Sequence, residues 1–264
     1  MYRIYNLTSS SNVKVTASKG PFMVLTHLQD LDPSNPDPTG AYFSGLLSRQ
    51  KRQLICSLKE DGVQIRQGMM QWMCGECAMT SNVGGIGGYL GRKLGGKMTG
   101  QNMIAPLYSG TGTIVLEPVD GDIYLLDLEQ WQGGVLIDPD LFLACTSDVR
   151  LKTTMRRNLS SALFGSEGMF SMAIEGSGTA ALKVPCPSNT LVIVELEDDV
   201  LKLDGNFAIA WSDSLEFSVE TSGSSLTSSA ISKEGFSNTY RGTGRILLSP
   251  LAAKNVSSAS QSEE

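Results

Sequence analysis

Residues 108–116 read YSGTGTIVL, residues 174–182 read IEGSGTAAL, and residues 240–248 read YRGTGRILL. One G-[TS]-G flanked by apolar residues is thus written three times. Gly110, Gly176 and Gly242 are evenly spaced along the chain, and Gly112, Gly178 and Gly244 keep the same step. The segments before them follow suit. Residues 135–151 (VLIDPDLFLACTSDVRL) align with residues 201–217 (LKLDGNFAIAWSDSLEF), with Ile137 over Leu203, Leu143 over Ile209, Val149 over Leu215 and Leu151 over Phe217. A third copy lies upstream, where residues 54–73 resemble residues 191–211 and Ile65 precedes Ile137 by slightly more than the regular step. The extra length is assigned to the glycine-rich stretch GGIGGYLGRKLGG at residues 84–96. A shared period of this kind marks one structural unit repeated.

Each unit reads as strands. Residues 215–219 (LEFSV) and residues from Val149 alternate apolar and polar side chains, the period of a half-buried strand. LVIVEL at residues 191–196 has the β-branched content of a more buried one. Asp204-Gly205-Asn206, and Asp138-Pro139-Asp140 one unit earlier, are turn signals. The best helix candidate is residues 153–163. The expected fold is all-β, with three repeated units of about 66 residues arranged with pseudo-threefold symmetry as a sandwich or double-stranded β-helix. Residues 1–50 form an extension with strand-like pieces (YRIYNL, VKVTA, FMVLTHL) and a turn-rich link. Residues 51–118, 119–185 and 186–250 are the units, and residues 251–264 an acidic, disordered tail. Glycine inside a strand pattern marks a bulge, a bend or a close backbone approach. Gly110, Gly112, Gly176, Gly178, Gly242 and Gly244 are therefore read as structural, since a phosphate-binding glycine loop opens a helix and not a strand.

The triple pattern, the glycine-rich insertion, GSEGMFSMAIEGSGTAAL at residues 165–182 and KEGFSNTYRGTGRILLSP at residues 233–250 resemble the "altered inheritance of mitochondria", or mitochondrial biogenesis, family. The resemblance covers roughly residues 54–250 and includes bacterial members of similar length. It implies an all-β fold of triplicated units similar to the tryptophan RNA-binding attenuation protein, a tendency toward homo-oligomers and, for the fungal branch, an association with mitochondrial inner-membrane organisation. It carries no catalytic residues over. Binding of RNA or tryptophan does not follow from the fold.

Composition narrows the function classes. The chain has 264 residues, 41% hydrophobic and 18% charged, with a net charge of −6. An acidic balance argues against nucleic acid as the main partner. There is no run of about 20 apolar residues to span a bilayer and no signal-peptide core near the N-terminus. The expected location is the cytoplasm, with peripheral attachment to a membrane as the alternative. Five scattered cysteines fit a reducing compartment.

No catalytic constellation is evident. His27, the one histidine, lies in the extension and lacks a G-x-S-x-G partner motif. Cys74 and Cys77 form the one C-x-x-C. They are a redox candidate but lack the second pair that a zinc site needs, so no metal or other cofactor is expected. The repeat alignment puts them where the other units carry TSD and SDS, at a turn between strands. The glycine-rich stretch fails as a phosphate loop: counting from Gly91, Gly96 and Lys97 fall correctly, but Met98 stands where Ser or Thr is required. It is read instead as a flexible surface loop, with contact to anionic lipid or an acidic protein partner through Ile86, Tyr89, Leu90, Arg92, Lys93 and Lys97 as the alternative. Arg156 and Arg157 occupy the corresponding connection of the second unit. The leading expectation is a non-enzymatic, oligomeric scaffold. The alternative is a small-molecule or lipid-binding protein with a pocket between units, and an enzyme of unknown class stands third.

Overall fold

The computed structural model describes residues 2–29, 39, 50–59, 61–80, 105–131, 133–155, 170–221 and 236–251. The chain is all-β. Strands β1 (Val13–Lys19) and β2 (Phe22–His27) precede β3 (Arg52–Lys59), β4 (Val63–Ile65), β5 (Met70–Thr80) and β6 (Leu107–Leu116). Next come β7 (Asp122–Asp127), β8 (Val135–Ile137), β9 (Phe142–Thr146), β10 (Arg150–Met155), β11 (Phe170–Glu175) and β12 (Thr179–Val184). The last four are β13 (Val192–Leu203), β14 (Ala208–Ser212), β15 (Glu216–Thr221) and β16 (Phe236–Leu248). They form two sheets. One runs β1-β2-β3-β6-β4-β9-β12-β7, with β5 also on β6; the other runs β10-β11-β8-β14-β16-β13, with β15 also on β16. All the pairings are antiparallel.

The strand positions follow the step between the glycine pairs. β14 and β15 begin and end one such step after β9 and β10, and β16 begins one step after β11. β4 precedes β8 by the slightly longer interval that separates Ile65 from Ile137. A bulge recurs in the same way. Met70 and Trp72 pair with Leu116 and Val115, leaving Gln71 over. Phe142 and Ala144 pair with Leu182 and Ala181, leaving Leu143 over. Ala208 and Ala210 pair with Leu248 and Leu247, leaving Ile209 over. An extra residue bends its strand and increases the local twist. At the second and third sites the extra side chain, Leu143 or Ile209, is buried.

Alternation places the apolar residues in three main clusters. Phe22, Leu54, Ile65 and Ile114 build the first. Ile137, Phe142, Leu182 and Ile209 are in the second. Trp211, Leu215, Tyr240 and Ile246 are in the third. There the Trp211 and Tyr240 rings meet edge to face at 5.5 Å, a favourable quadrupole arrangement.

The extension joins the body through β2, whose residues 22–26 pair with residues 52–56 of β3. Lys19 reaches Asp127 of β7 at 2.5 Å. That hydrogen bond is the main reason the Asp127 carboxyl titrates below its ordinary range. Two sequence expectations fail here. Residues 2–7 form no strand; Tyr2 hydrogen-bonds Thr113 through its hydroxyl, and Leu7 packs over Leu25, Ile55 and Val115. The helix expected from Thr153 is strand at its start, because Thr153, Thr154 and Met155 pair with Met172, Ser171 and Phe170. Residues 156–163 of that candidate, the link at 30–38 and the tail from 252 onward lie outside the described residues.

The beginnings of β3 and β7 and the turn before β13 are held by one carboxylate. Asp122 Oδ1 accepts from Arg52 Nε at 3.2 Å and from the Ile123 backbone at 2.8 Å. Asp122 Oδ2 accepts from the Ser188 backbone at 2.8 Å. Both charged side chains are nearly enclosed, at 9% and 13% exposure. Removing one partner of a buried pair strands the other. Asp122→Ala should therefore lower stability in urea unfolding by about 3 kcal/mol or more, and a loss below about 1 kcal/mol would show that the carboxylate is not structurally central.

Candidate functional site

The second and third glycine pairs lie where a neighbouring segment turns against them, and the first lies against a strand that runs on. In the second instance β9 ends in a turn closed by Val149 N–H donating to the Thr146 carbonyl at 3.2 Å. Gly176 and Gly178 cross this turn. A Cβ on Gly176 would meet the Asp148 carbonyl at 2.8 Å, and one on Gly178 would collide with Thr146 Oγ1. In the third instance Leu215 N–H donates to the Ser212 carbonyl at 3.1 Å, and a Cβ on Gly244 would meet Ser212 Cβ at 2.8 Å. The hydroxyls repeat too: Thr146 Oγ1 accepts from Thr179 N–H at 3.3 Å, and Ser212 Oγ from Arg245 N–H at 2.9 Å. In the first instance a Cβ on Gly110 would collide with the Glu76 carbonyl, and one on Gly112 with the Cys74 carbonyl and Cys77 Sγ. Gly110, Gly176, Gly178 and Gly242 also have φ between +107 and +119, which disfavours any side chain.

The turn expected at Cys74 and Cys77 is not there. β5 runs on, pairing residue for residue with β6 from Trp72 to Thr80. Cys74 stands where Thr146 and Ser212 supply the hydroxyl acceptor, and a thiol is a weaker acceptor for that N–H. Cys74 faces Thr113 in the ladder instead. Gly75 between them has φ +106, so the strand's alternation is broken at that point. Cys77 Sγ contacts the Cys74 carbonyl at 3.8 Å. Burial first, and the neighbouring Cys74 second, push the Cys77 thiol above its ordinary range. The buried Cys56 and Cys145 thiols are also pushed up. A raised thiol holds less thiolate and is a poorer nucleophile.

A cleft of about 200 Å³ opens beside Gly244. Its polar groups bond to one another. Arg245 reaches Glu195 at 2.6 Å and the Gln130 carbonyl at 2.8 Å, and Ser214 donates to the Thr243 carbonyl at 2.8 Å. Ligand pockets usually enclose about 300 Å³ or more. Among the described residues no three His, Cys, Asp or Glu side chains converge to hold a metal. His27 Nε2 bonds Gln53 Oε1 at 2.9 Å, inside the sheet. Sequence reasoning missed both Asp122 and the Thr146/Ser212 hydroxyls. The repeat step from Thr146 to Ser212 was the available signal for the latter.

Ile86, Tyr89, Leu90, Arg92, Lys93, Lys97, Arg156 and Arg157 lie outside the described residues. The ends of their connections are described. Thr80 pairs with Leu107, and Met155 with Phe170. Thr221 and Phe236 close the third ribbon the same way. Each of these three pairs of described ends is the last pair of an antiparallel ribbon.

Sixteen described strands, glycine-mediated crossings and no assembled catalytic group among the described residues define an all-β protein built on paired ribbons. The model for the mitochondrial biogenesis family AIM24 matches residues 45–251, and the chain belongs to that family. No curated protein matches it. Among solved structures it is similar in fold to protein SPYM3_0169 from Streptococcus pyogenes. The identity is 22% and the TM-score 0.55, over 77% of this chain and 89% of that one. No described helix is long and apolar enough to cross a membrane.

Two glycines separate steric from conformational cost. Gly110 has φ +110 and no room for a Cβ, while Gly68 has φ +85 and open space. Gly68→Ala should cost about 1 kcal/mol in urea unfolding and Gly110→Ala clearly more. Equal losses would remove close approach as the reason for the motif.

Proposed function

We propose that this chain is a non-enzymatic, oligomeric β scaffold. Its three units are arranged about a pseudo-threefold axis, and its loops contact an anionic membrane surface or an acidic partner. The observation that carries the scaffold reading is the recurrence of one bulge and one glycine crossing at a fixed step, an arrangement that supplies rigid surface. The absence of a catalytic role is supported by chemistry. The thiols with a resolved shift, Cys56, Cys77 and Cys145, are all pushed up, and the carboxyls with one, Asp127 and Glu220, are held down by lysines in ion pairs. A general acid or base working near neutral pH needs the opposite shift for a carboxyl. The cleft beside Gly244 is small, and its polar groups already satisfy each other, which favours the scaffold over a small-molecule carrier.

The contact reading rests on charge. Arg92, Lys93, Lys97, Arg156 and Arg157 gather in two ribbon connections of a chain with net charge −6. Juxtaposed basic side chains add about 1 kcal/mol each near an anionic leaflet and are screened by salt. Membership of a mitochondrial biogenesis family is compatible with work at a membrane surface.

The test replaces residues 84–96 with a short Gly-Ser linker and adds Arg156→Glu and Arg157→Glu. Co-sedimentation with anionic vesicles should fall at least about tenfold at low salt, with the melting temperature unchanged. Undiminished vesicle binding would refute the membrane reading, and unfolding of the variant would place the loop in the core.

A further inference from the structure

Along the chain, β4 and β8 each make a short bridge to a later strand, and the two bridges share one register. Val63, Gln64 and Ile65 of β4 pair with Thr146, Cys145 and Ala144 of β9. Val135, Leu136 and Ile137 of β8 pair with Ser212, Trp211 and Ala210 of β14. The second bridge is the first advanced by one repeat unit, from Val63 to Val135 on one side and from Thr146 to Ser212 on the other. The same steps define a third. It sets Leu201, Lys202 and Leu203 of β13 opposite Cys74, Met73 and Trp72 of β5. That bridge does not occur within the chain. Among the described residues β13 pairs only with β16 and β5 only with β6, so each keeps one edge without a strand.

Burial differs accordingly. In the formed bridges Val63, Ile65, Val135 and Ile137 are fully enclosed, as are Ala144, Cys145 and Ala210. At the open positions Leu201, Leu203, Trp72 and Cys74 are only half-buried, and Met73 is 42% exposed. Apolar side chains thus remain where a partner strand would cover them. An open edge also presents unpaired N–H and C=O groups that template another strand. The two edges suit each other. Of the six facing side chains only Lys202 is charged; its ammonium is held by Glu220 at 2.6 Å, which leaves its methylene stem to lie along Met73.

We propose that a second copy of this chain supplies the missing strand, with β13 of one copy pairing antiparallel to β5 of the next through residues 201–203 and 72–74. The contact joins two different edges, so it closes a two-fold dimer where both copies of it form between one pair of chains and otherwise builds larger rings or filaments. It rests on the oligomeric reading above and names the surface.

Two exposed substitutions and a cross-link test it. In a Glu220→Gln background, which frees the Lys202 ammonium from its partner, Met73→Lys sets a second ammonium against it and Met73→Glu a carboxylate; both lose the same methionine. Opposed and paired charges across strands differ enough that the Lys variant should dissociate about fivefold more readily than the Glu variant in sedimentation velocity. Thermal melts of the two, taken at dilution, should match, since Met73 is exposed in the single copy. A benzophenone side chain at position 73, in a mixture of isotopically light and heavy chains, should link to residues 201–203 of another copy. A protein monomeric at every concentration overturns this interface and the oligomeric reading together. An oligomer in which both variants dissociate alike, with links elsewhere, overturns the interface and leaves the oligomeric reading standing. Links from position 73 to residues 201–203 within one copy overturn it as well, by showing that the chain closes on itself.

Discussion

Where a strand turns away from a straight neighbour, the neighbour's backbone is drawn so close that no Cβ fits. Most of this architecture follows from that constraint. Gly178 lies against Thr146 Oγ1 and Gly244 against Ser212, both at turns, while Gly112 lies as close to the Cys74 carbonyl although β5 runs on. Because the straight strand carries glycine, the bent strand can turn without opening a gap. At Thr146 the bend sends the chain from β9 in the first sheet into β10 in the second; at Ser212 it sends β14 into β15, and both of these pair with β16. The bulge a few residues earlier adds local twist.

Asp122 works at the other end of the strands. One carboxylate receives Arg52 and two backbone N–H groups, from Ile123 and Ser188, so that three separate starts of chain converge on it. Two of these positions, Asp122 and Ser188, are themselves one repeat step apart. Glycine crossings fix where strands bend, and Asp122 fixes where they begin.

Some of this was legible in sequence. Close approach forbids side chains, so it writes glycine, and three glycine pairs at one step were readable without coordinates. Of the apolar positions that coincide between the second and third units, Ile137, Leu143, Val149, Ile209 and Leu215 are buried, while Leu151, Leu203 and Phe217 are half-buried. The C-x-x-C was placed at a turn because its neighbours in the alignment are turns; a sulfur in place of a hydroxyl oxygen removes the acceptor that fastens the turn, and the strand runs through. Residues 2–7 alternate well enough for a strand, but Leu7 is taken by the apolar face over Leu25 and Val115 and not by an edge. The start of the proposed helix was lost to pairing with β11, a tertiary demand that local propensity does not contain. Asp122 gave no signal at all, since an isolated Asp before an apolar run is common and its partners Arg52 and Ser188 are far away in the chain.

β1, β7, β10 and β15 also keep an open edge among the described residues, but at β5 and β13 the repeat register calls for a bridge that the chain does not form. Pairing of those two edges between copies would complete the fold's own pattern. Backbone hydrogen–deuterium exchange at rising protein concentration tests this most directly. Residues 63–65 and 135–137, already bridged, should exchange slowly at every concentration. Residues 70–74 and 201–203 should exchange quickly at dilution and become protected together as concentration rises. Protection of those two edges that never changes with concentration would contradict the account.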